Sequence, residues 1–252
     1  MAQPYCKANY KEQGETMGKE VLGQATVEVV RQLRNEGVTN QVLLMRHSAR
    51  HYSNDPRLEP FMGLTDGGKR ASLAFGRGLG AEVPVTPCSS YIGRCIETAY
   101  LLQRGSGCRT DHLNTLEEAL SPFYVKDFQR TVELILEHDL TGFIRRWIDG
   151  EFSPEVMAPA ADAASVMLRF AEGHLTAEAP GLTVAVTHDW NLFTVKEFAL
   201  KLPHETWGKV GYLEGVVLYR DGGRLMAVNH QRQPVAVDEA LLATGEAAAA
   251  HG

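Results

Sequence analysis

The chain has 252 residues, 44% of them hydrophobic and 22% charged, ordinary values for a globular protein with a substantial core. Its formal net charge of −6 argues against broad binding to nucleic acid or to an anionic membrane. The opening Met-Ala-Gln-Pro-Tyr-Cys-Lys lacks the apolar core of a secretory signal, and no run approaches the ~18 apolar residues of a membrane span. A cytoplasmic protein with no membrane partner is therefore expected. The cysteines Cys6, Cys88, Cys95 and Cys108 fit reduced thiols in that compartment. The spacing of Cys88 and Cys95 matches no zinc pattern and reads as packing.

Residues 1–17 are polar and mixed, which suggests a flexible arm. From Gly18 to Asn35, Val21, Leu22, Ala25, Val27, Val30 and Leu33 recur at helical spacing, and Gly37 reads as the stop. Val42-Leu-Leu-Met45 reads as a short buried strand that runs straight into Arg46-His47-Ser48-Ala49-Arg50. Thr65 is the expected N-cap of a helix reaching about Leu79, with Asp66 in its first turn. A strand-like stretch, Val83 to Thr86, precedes Ser89-Ser90-Tyr91-Ile92-Gly93-Arg94, which opens a helical pattern to about Gln103. Leu113 to Leu116 reads as a further short strand.

Residues 119–180 carry no catalytic-looking motif. Helical patterns cover Phe128–His138, Phe143–Ile148 and Ala160–Leu175, punctuated by Pro154, Pro159 and Pro180. Two roles are open for this segment: an inserted helical cap over a site, or a packing layer. Leu182–Thr187 is another apolar strand, ending in His188-Asp189 and followed by a helix over Asn191–Leu200. Val216–Tyr219 and Leu225–Val228 flank Arg220-Asp-Gly-Gly-Arg, a hairpin signal. The Ala-rich tail, 240–252, is expected to be frayed or disordered. The alternation predicts one α/β domain over 1–252, with a mainly parallel sheet and a hairpin at one edge.

Several strand ends thus deliver basic or acid–base residues. Ligands of open α/β sheets bind at the carboxyl ends of the strands. An imidazole between two guanidiniums at such an edge is costly without an anion nearby. Against the acidic whole, Arg46, Arg50 and Arg94 form a local positive pocket suited to a small anion.

The ordered set Arg46-His47, Leu64-Thr65-Asp66-Gly67-Gly68, Ser90-x-x-x-Arg94-x-x-x-Thr98-Ala99 and strand-final His188 resembles the histidine phosphatase superfamily, which includes the cofactor-dependent phosphoglycerate mutases. The resemblance runs from residue 42 to about 190. It implies a three-layer α/β/α, phosphoglycerate mutase-like fold with a helical cap insertion at about 119–180. Arg46-His47-x-x-Arg50 and His188-Asp189 are closer to the acid-phosphatase branch. Ser48 stands where that branch has glycine, so close backbone approach and positive φ become more costly. Tyr52 stands where it has proline.

The resemblance implies a metal-independent phosphomonoesterase acting on a small phosphorylated metabolite, with no cofactor and no metal. His47 would take the phosphoryl group and pass it to water, splitting one hard step into two. Arg46, Arg94 and His188 are the family's counterparts for holding the phosphoryl oxygens, and Arg50 fits as a fourth donor. Asp189 is the expected proton donor, with Glu117 or Glu118 as the alternative, in the segment where the mutases carry their Glu. Asp189 also suits a helix N-cap. Ser48, Ser90 and His51 are possible substrate contacts; a turn and an N-cap are the plainer roles for the two serines. His112, His138, His174, His204 and His230 read as surface or hydrogen-bonded residues.

Two other functions compete. A phosphomutase would return the phosphate from His47 to substrate, but Asn54 falls off the position of the longer mutase signature. A non-catalytic phospho-ligand binder would not need a nucleophile.

Overall fold

The computed structural model describes residues 22–107, 113–175 and 180–243. The arm at 1–17, Cys6, Cys108, His112 and most of the Ala-rich tail lie outside these. Helix α1, Gln24–Asn35, buries Val27, Val30 and Leu33. It ends as its glycine predicts: Gly37, at φ 92°, donates its N–H to Arg34 O, and Val38 donates to Leu33 O. That paired closure is the Schellman motif.

Strand β1, Asn40–Arg46, is buried on both faces through its middle. Thr65 caps α2, Asp66–Leu79, by accepting from Gly68 N at 3.0 Å. Strand β2 is Val85–Ser89, ending at Ser89 rather than at Thr86. Helix α3 follows at Gly93–Ser106, and the two-residue β3 at Thr115–Leu116. Helix α4 spans Phe128–Ile148 but is broken at Asp139, φ 53° and ψ 171°. Asp139 Oδ1 accepts from Gly142 N at 2.9 Å, re-capping the second half. The two separate patterns read from the sequence are therefore the two arms of one kinked helix.

Helix α5, Ala160–His174, precedes β4, Gly181–Thr187, and α6, Asp189–Phe198. A one-turn α7, His204–Trp207, leads to β5, Gly215–Asp221, and β6, Arg224–Asn229. These pair as the expected hairpin, turning at Gly222 and Gly223, both at positive φ. Strand β7, Arg232–Ala236, is unexpected, since its sequence is polar and contains Pro234. The short α8, Glu239–Ala243, closes the described chain.

The sheet has the order β3-β2-β4-β1-β5-β6-β7. Its first four strands run parallel, and β5 to β7 are antiparallel. Alternate residues of β1 face opposite layers: Val42 and Leu44 join one core with α4, α5 and α6, while Leu43 and Met45 join the other with α1, α2 and α3. Three layers follow from that period-two alternation. Within residues 119–180, α5 lies on the sheet with Ala163, Met167, Leu168 and Ala171 fully buried, which is the packing role. The second arm of α4 sets Phe143 and Trp147 against Trp190 of α6.

Helices α2 and α3 cross at glycines. A Cβ on Gly76 would strike the Leu102 carbonyl oxygen, and one on Gly105 the Leu73 carbonyl oxygen. Gly76→Val should therefore destabilise the fold by about 1–3 kcal/mol or more, as overpacking does. Gly93→Ala, where a Cβ meets nothing within 4 Å, is the control and should change stability by at most about 1 kcal/mol. Thermal melts of the two variants check this.

Candidate active site

The ends of β1 and β4 build the centre. These strands are in register at Arg46 and Thr187, and the ladder continues one step as His47 N donates to Thr187 O at 3.0 Å. His47 and His188 therefore emerge side by side, with ring centroids 5.6 Å apart at 68°. The end of β2 adds Ser90, whose N–H bonds Val186 O at 3.0 Å, and the first turn of α3 adds Arg94.

His47 is buried, with 2% of its surface exposed. Its Nδ1 lies 2.8 Å from Ser48 O, an acceptor only, so Nδ1 carries the proton and Nε2 the lone pair. Arg94 Nε donates to that lone pair at 3.0 Å. Burial first, then the charges of His188, Arg94 and Arg46, hold the His47 imidazole well below the ordinary histidine value. His188 sits with Nε2 3.0 Å from Ser90 Oγ and Nδ1 3.4 Å from Arg94 Nη2. Its pKa is pushed down to about 3, by burial and then Arg94, with Asp189 opposing. Both rings are neutral at pH 7.

Each arginine is held on several sides. Arg46 Nη2 pairs with Asp189 Oδ2 at 2.9 Å, Nη1 donates to Val210 O at 2.6 Å, and its guanidinium stands 4.2 Å from the Tyr212 ring centroid. Arg50 pairs with Glu59 and stands 4.2 Å from the Tyr52 ring centroid. Arg94 Nη1 donates to Glu59 O at 2.9 Å. The Tyr52 and Tyr212 hydroxyls are themselves hydrogen-bonded, which joins the two supporting rings. Cation–π contacts of this kind stabilise by roughly 0.5–2 kcal/mol each.

Asp189 is the first residue of α6, and its Oδ1 accepts from Trp190 N at 3.0 Å. The N-cap position belongs to His188, whose side chain makes no capping bond. Burial pushes the Asp189 carboxyl up, but Arg46 foremost, then His188 and Arg50, outweigh it and hold the group below the usual aspartate range. Glu117 directly follows β3, with its N–H on Ser89 O at 2.9 Å, and is half-buried; Glu118 is exposed. The charge of Glu117 is felt at the Cys88 thiol, raising it after the larger effect of burial.

Both serine hydroxyls are hydrogen-bonded within the fold. Ser48 Oγ donates to Gly68 O at 2.8 Å, and its N–H to Thr98 Oγ1 at 3.2 Å. Ser48 is not among the positive-φ residues, so a serine at this position carries no left-handed backbone strain. The glycine that matters is Gly68, where a Cβ would strike the Ala49 carbonyl oxygen. Ser90 is not the N-cap of α3, a position held by Ile92; its Oγ accepts from Ile92 N at 3.3 Å and from Ser121 Oγ at 3.2 Å. His51 is exposed and donates its N–H to Gly63 O.

Three residues of the site were not legible in advance. Tyr212 and Val210 belong to a loop fixed by Glu214, which pairs with buried Lys196 at 2.7 Å and accepts from Gly211 N at 2.7 Å. Glu59 lies on the 3₁₀ turn Pro56–Phe61. Their local sequences carry no motif, and only the tertiary fold brings them to the arginines.

Cys95 is buried, with Sγ 3.6 Å from His188 Nε2, and burial pushes its thiol up to about 12. Among the described residues, Glu197, His204 and Glu205 are the group close enough to hold a metal. Arg145 already bridges both glutamates, at 3.1 and 3.6 Å, and Glu197 lies at the opposite end of α6 from Asp189. His204 and His174 accordingly make ordinary hydrogen bonds, to Thr141 O at 3.3 Å and Phe170 O at 2.9 Å. No helix of the described residues is long and apolar enough to cross a membrane.

No family model and no curated protein matches the chain. Solved structures do. YhfR of Bacillus stearothermophilus aligns with a TM-score of 0.53 at 18% identity, covering 77% of this chain and 100% of that one. A protein described as mycobacterial hydrolase 1 gives 0.53 at 17% identity, with 79% and 97% covered. A mycobacterial glucosyl-3-phosphoglycerate phosphatase in complex with inorganic phosphate gives 0.52 at 18%, with 77% and 100% covered. At these identities the likeness is one of fold.

Neutral, buried histidines make stability depend on pH. In the unfolded chain each titrates near ~6.5, whereas in the fold His47 and His188 resist protonation to much lower pH. Between those limits the unfolded state binds more protons, so stability is complete above about pH 7 and falls as pH drops below ~6.5. The slope is roughly 1.4 kcal/mol per pH unit for each such histidine. Thermal melts from about pH 8 to 4.5 should show the decline, with a shallower slope in His188→Asn. Equal slopes would refute the assignment.

Proposed function

On the histidine phosphatase fold that this chain adopts, we propose a metal-independent phosphomonoesterase that hydrolyses a small phosphorylated metabolite through a phosphohistidine on His47. One observation carries this reading. The His47 ring is fixed by Ser48 O so that its unprotonated Nε2 faces Arg94, with His188 alongside and Arg46 on the adjoining strand-end residue. A buried, neutral imidazole aimed into a group of guanidiniums is a nucleophile waiting for an anion, which a mere binder does not require. R-H-x-x-R and His188-Asp189 favour the acid-phosphatase branch within the superfamily.

In the first step, His47 Nε2 attacks phosphorus while the bond from phosphorus to the leaving oxygen breaks. Arg94 transfers its Nε–H bond from the imidazole lone pair to a phosphoryl oxygen. Arg46, Arg50 and His188 take the remaining oxygens, the fork of each arginine matching two acceptors. The Ser48 carbonyl stabilises the proton on Nδ1 as positive charge develops on the ring. Water then attacks phosphorus, giving its proton to the carboxylate that had protonated the leaving oxygen, and the bond from phosphorus to Nε2 breaks, returning the lone pair and the neutral ring. The helical cap proposed over 119–180 would include the second arm of α4, which packs on Trp190, the residue after Asp189.

Asp189 is the proposed proton donor, since it touches Arg46 and lies about one-third exposed at the edge of the site. Its depressed pKa in the ion pair must rise for that role. A phosphate dianion sharing Arg46 supplies the rise, by drawing off the guanidinium and adding like charge. Glu117, at the end of β3, is the competitor.

His47→Ala should abolish turnover of p-nitrophenyl phosphate, assayed in chelator, while the circular dichroism spectrum shows the fold intact. Rapid quenching at alkaline pH should trap an acid-labile phosphate on His47 of the unmodified protein. A phosphoserine, a phosphocysteine or a strict need for added metal would overturn the mechanism.

Asp189→Asn should slow hydrolysis of alkyl phosphates by roughly 100-fold or more, the usual contribution of a placed general acid. The burst from an aryl phosphate with a good leaving group should suffer far less. Near-normal alkyl phosphatase activity in Asp189→Asn, lost instead in Glu117→Gln or Glu118→Gln, would transfer the role to the β3 end.

A further inference from the structure

The loop between Arg50 and Leu64 is pinned at its base and returns to the arginines through one residue. Arg50 and Leu64 form an isolated antiparallel bridge, and His51 N donates to Gly63 O at 3.0 Å. Beyond that base the chain runs out to the 3₁₀ turn, where Leu58 and Phe61 are exposed. Glu59 points back inward. Its carbonyl accepts from Arg94 Nη1 at 2.9 Å, its Oε2 pairs with Arg50 Nη1, and its Oε1 accepts from Ser53 N at 2.9 Å. The side chain is 28% exposed and that of Arg50 13%, so the pair is largely withdrawn from solvent screening. One acidic residue therefore engages two of the three arginines of the anion pocket. A carboxylate on a guanidinium is the same class of charge-assisted contact that a phosphoryl oxygen would make.

We propose that Glu59 is a specificity-determining residue that sets a charge threshold for entry to the anion pocket. Its carboxylate competes with a ligand for Arg50, and its carbonyl competes for Arg94. An anion is seated only if it pairs with both arginines more strongly than Glu59 does. A phosphomonoester dianion meets that demand, with two charges spread over three terminal oxygens. A carboxylate or a phosphodiester, each with a single charge, does not. Seating the dianion turns Glu59 away and moves the 3₁₀ turn outward about its pinned base, releasing the Ser53 amide. The inference rests on the pocket being a phosphate site.

Calorimetric titration of inorganic phosphate, acetate and dimethyl phosphate into the full chain and its Glu59→Gln variant tests this. Glu59→Gln keeps the shape and removes the charge. Phosphate should bind the variant ~10- to 100-fold more tightly, the range for losing a charged competing contact. Dimethyl phosphate, excluded from the unmodified protein, should become measurable. Unchanged or weaker phosphate binding would overturn the proposal, because Glu59 would then be orienting the arginines rather than competing for them. A second measurement needs no variant: saturating phosphate should speed hydrogen exchange of the Ser53 amide, and slowed or unchanged exchange counts against displacement. If the unmodified protein binds neither phosphate nor vanadate, the phosphatase reading fails together with this one. Phosphate binding without tightening in Glu59→Gln removes the role of Glu59 alone.

Discussion

The parallel pairing of β1 with β4 is the constraint on which the rest depends. Register places Arg46 opposite Thr187, so the next residue on each strand is a histidine at the same sheet edge. A slip by one residue would invert every side chain of β1 between the two cores, moving Leu43 and Met45 to the face of Val42 and Leu44. Burial on both faces thus makes the register costly to change, and the placement of the two histidines inherits that cost as precision. The short segments beyond the strands are then fastened individually: Ser48 to α2 and α3, Thr187 Oγ1 to Leu120 O at 2.7 Å, and Asn191 to both Tyr124 and Ser121.

Electrostatics in the pocket follow from the same burial. Desolvation and neighbouring guanidiniums act together on the imidazoles, so His47 and His188 stay neutral. On Asp189 they act in opposition, and the arginine charge prevails. On the Cys95 thiol burial prevails over Arg94, which leaves it protonated beside His188 and suited to packing. Three kinds of ionisable group in one small volume thus take their forms from one balance. The supporting tyrosines and the Lys196–Glu214 pair hold the cations without neutralising them.

Where local chemistry dictates structure, the sequence is readable. Thr65, Gly37 and the Gly222-Gly223 turn each act on the backbone within a few residues of themselves, and each stands in its expected role. The apolar strands that end in His47 and His188 are equally plain, because burial on both faces requires continuous apolar runs. The break in α4 was visible as two separate periodicities. Hydroxyl roles were less accessible: Ser48 and Ser90 sit beside the two strand-end histidines, and their oxygens bond Gly68, Ile92 and His188. Glu59, Tyr212 and Val210 were invisible because their function is a distance to a residue far along the chain. Strand β7 escaped notice because a polar segment with a proline has neither strand composition nor alternation.

That overlooked strand has a consequence for how copies of the chain can meet. An open sheet normally ends in unpaired amides that invite another strand. Here one edge is β3, only two residues long, and the other is β7, which carries Pro234, with no N–H to offer, and exposed Arg232 and Gln233. Among the described residues, neither margin gives a neighbouring molecule a ladder to extend. A seven-stranded sheet with four parallel strands, of the slow-pairing kind most prone to sticking during folding, is thereby blunted at both ends.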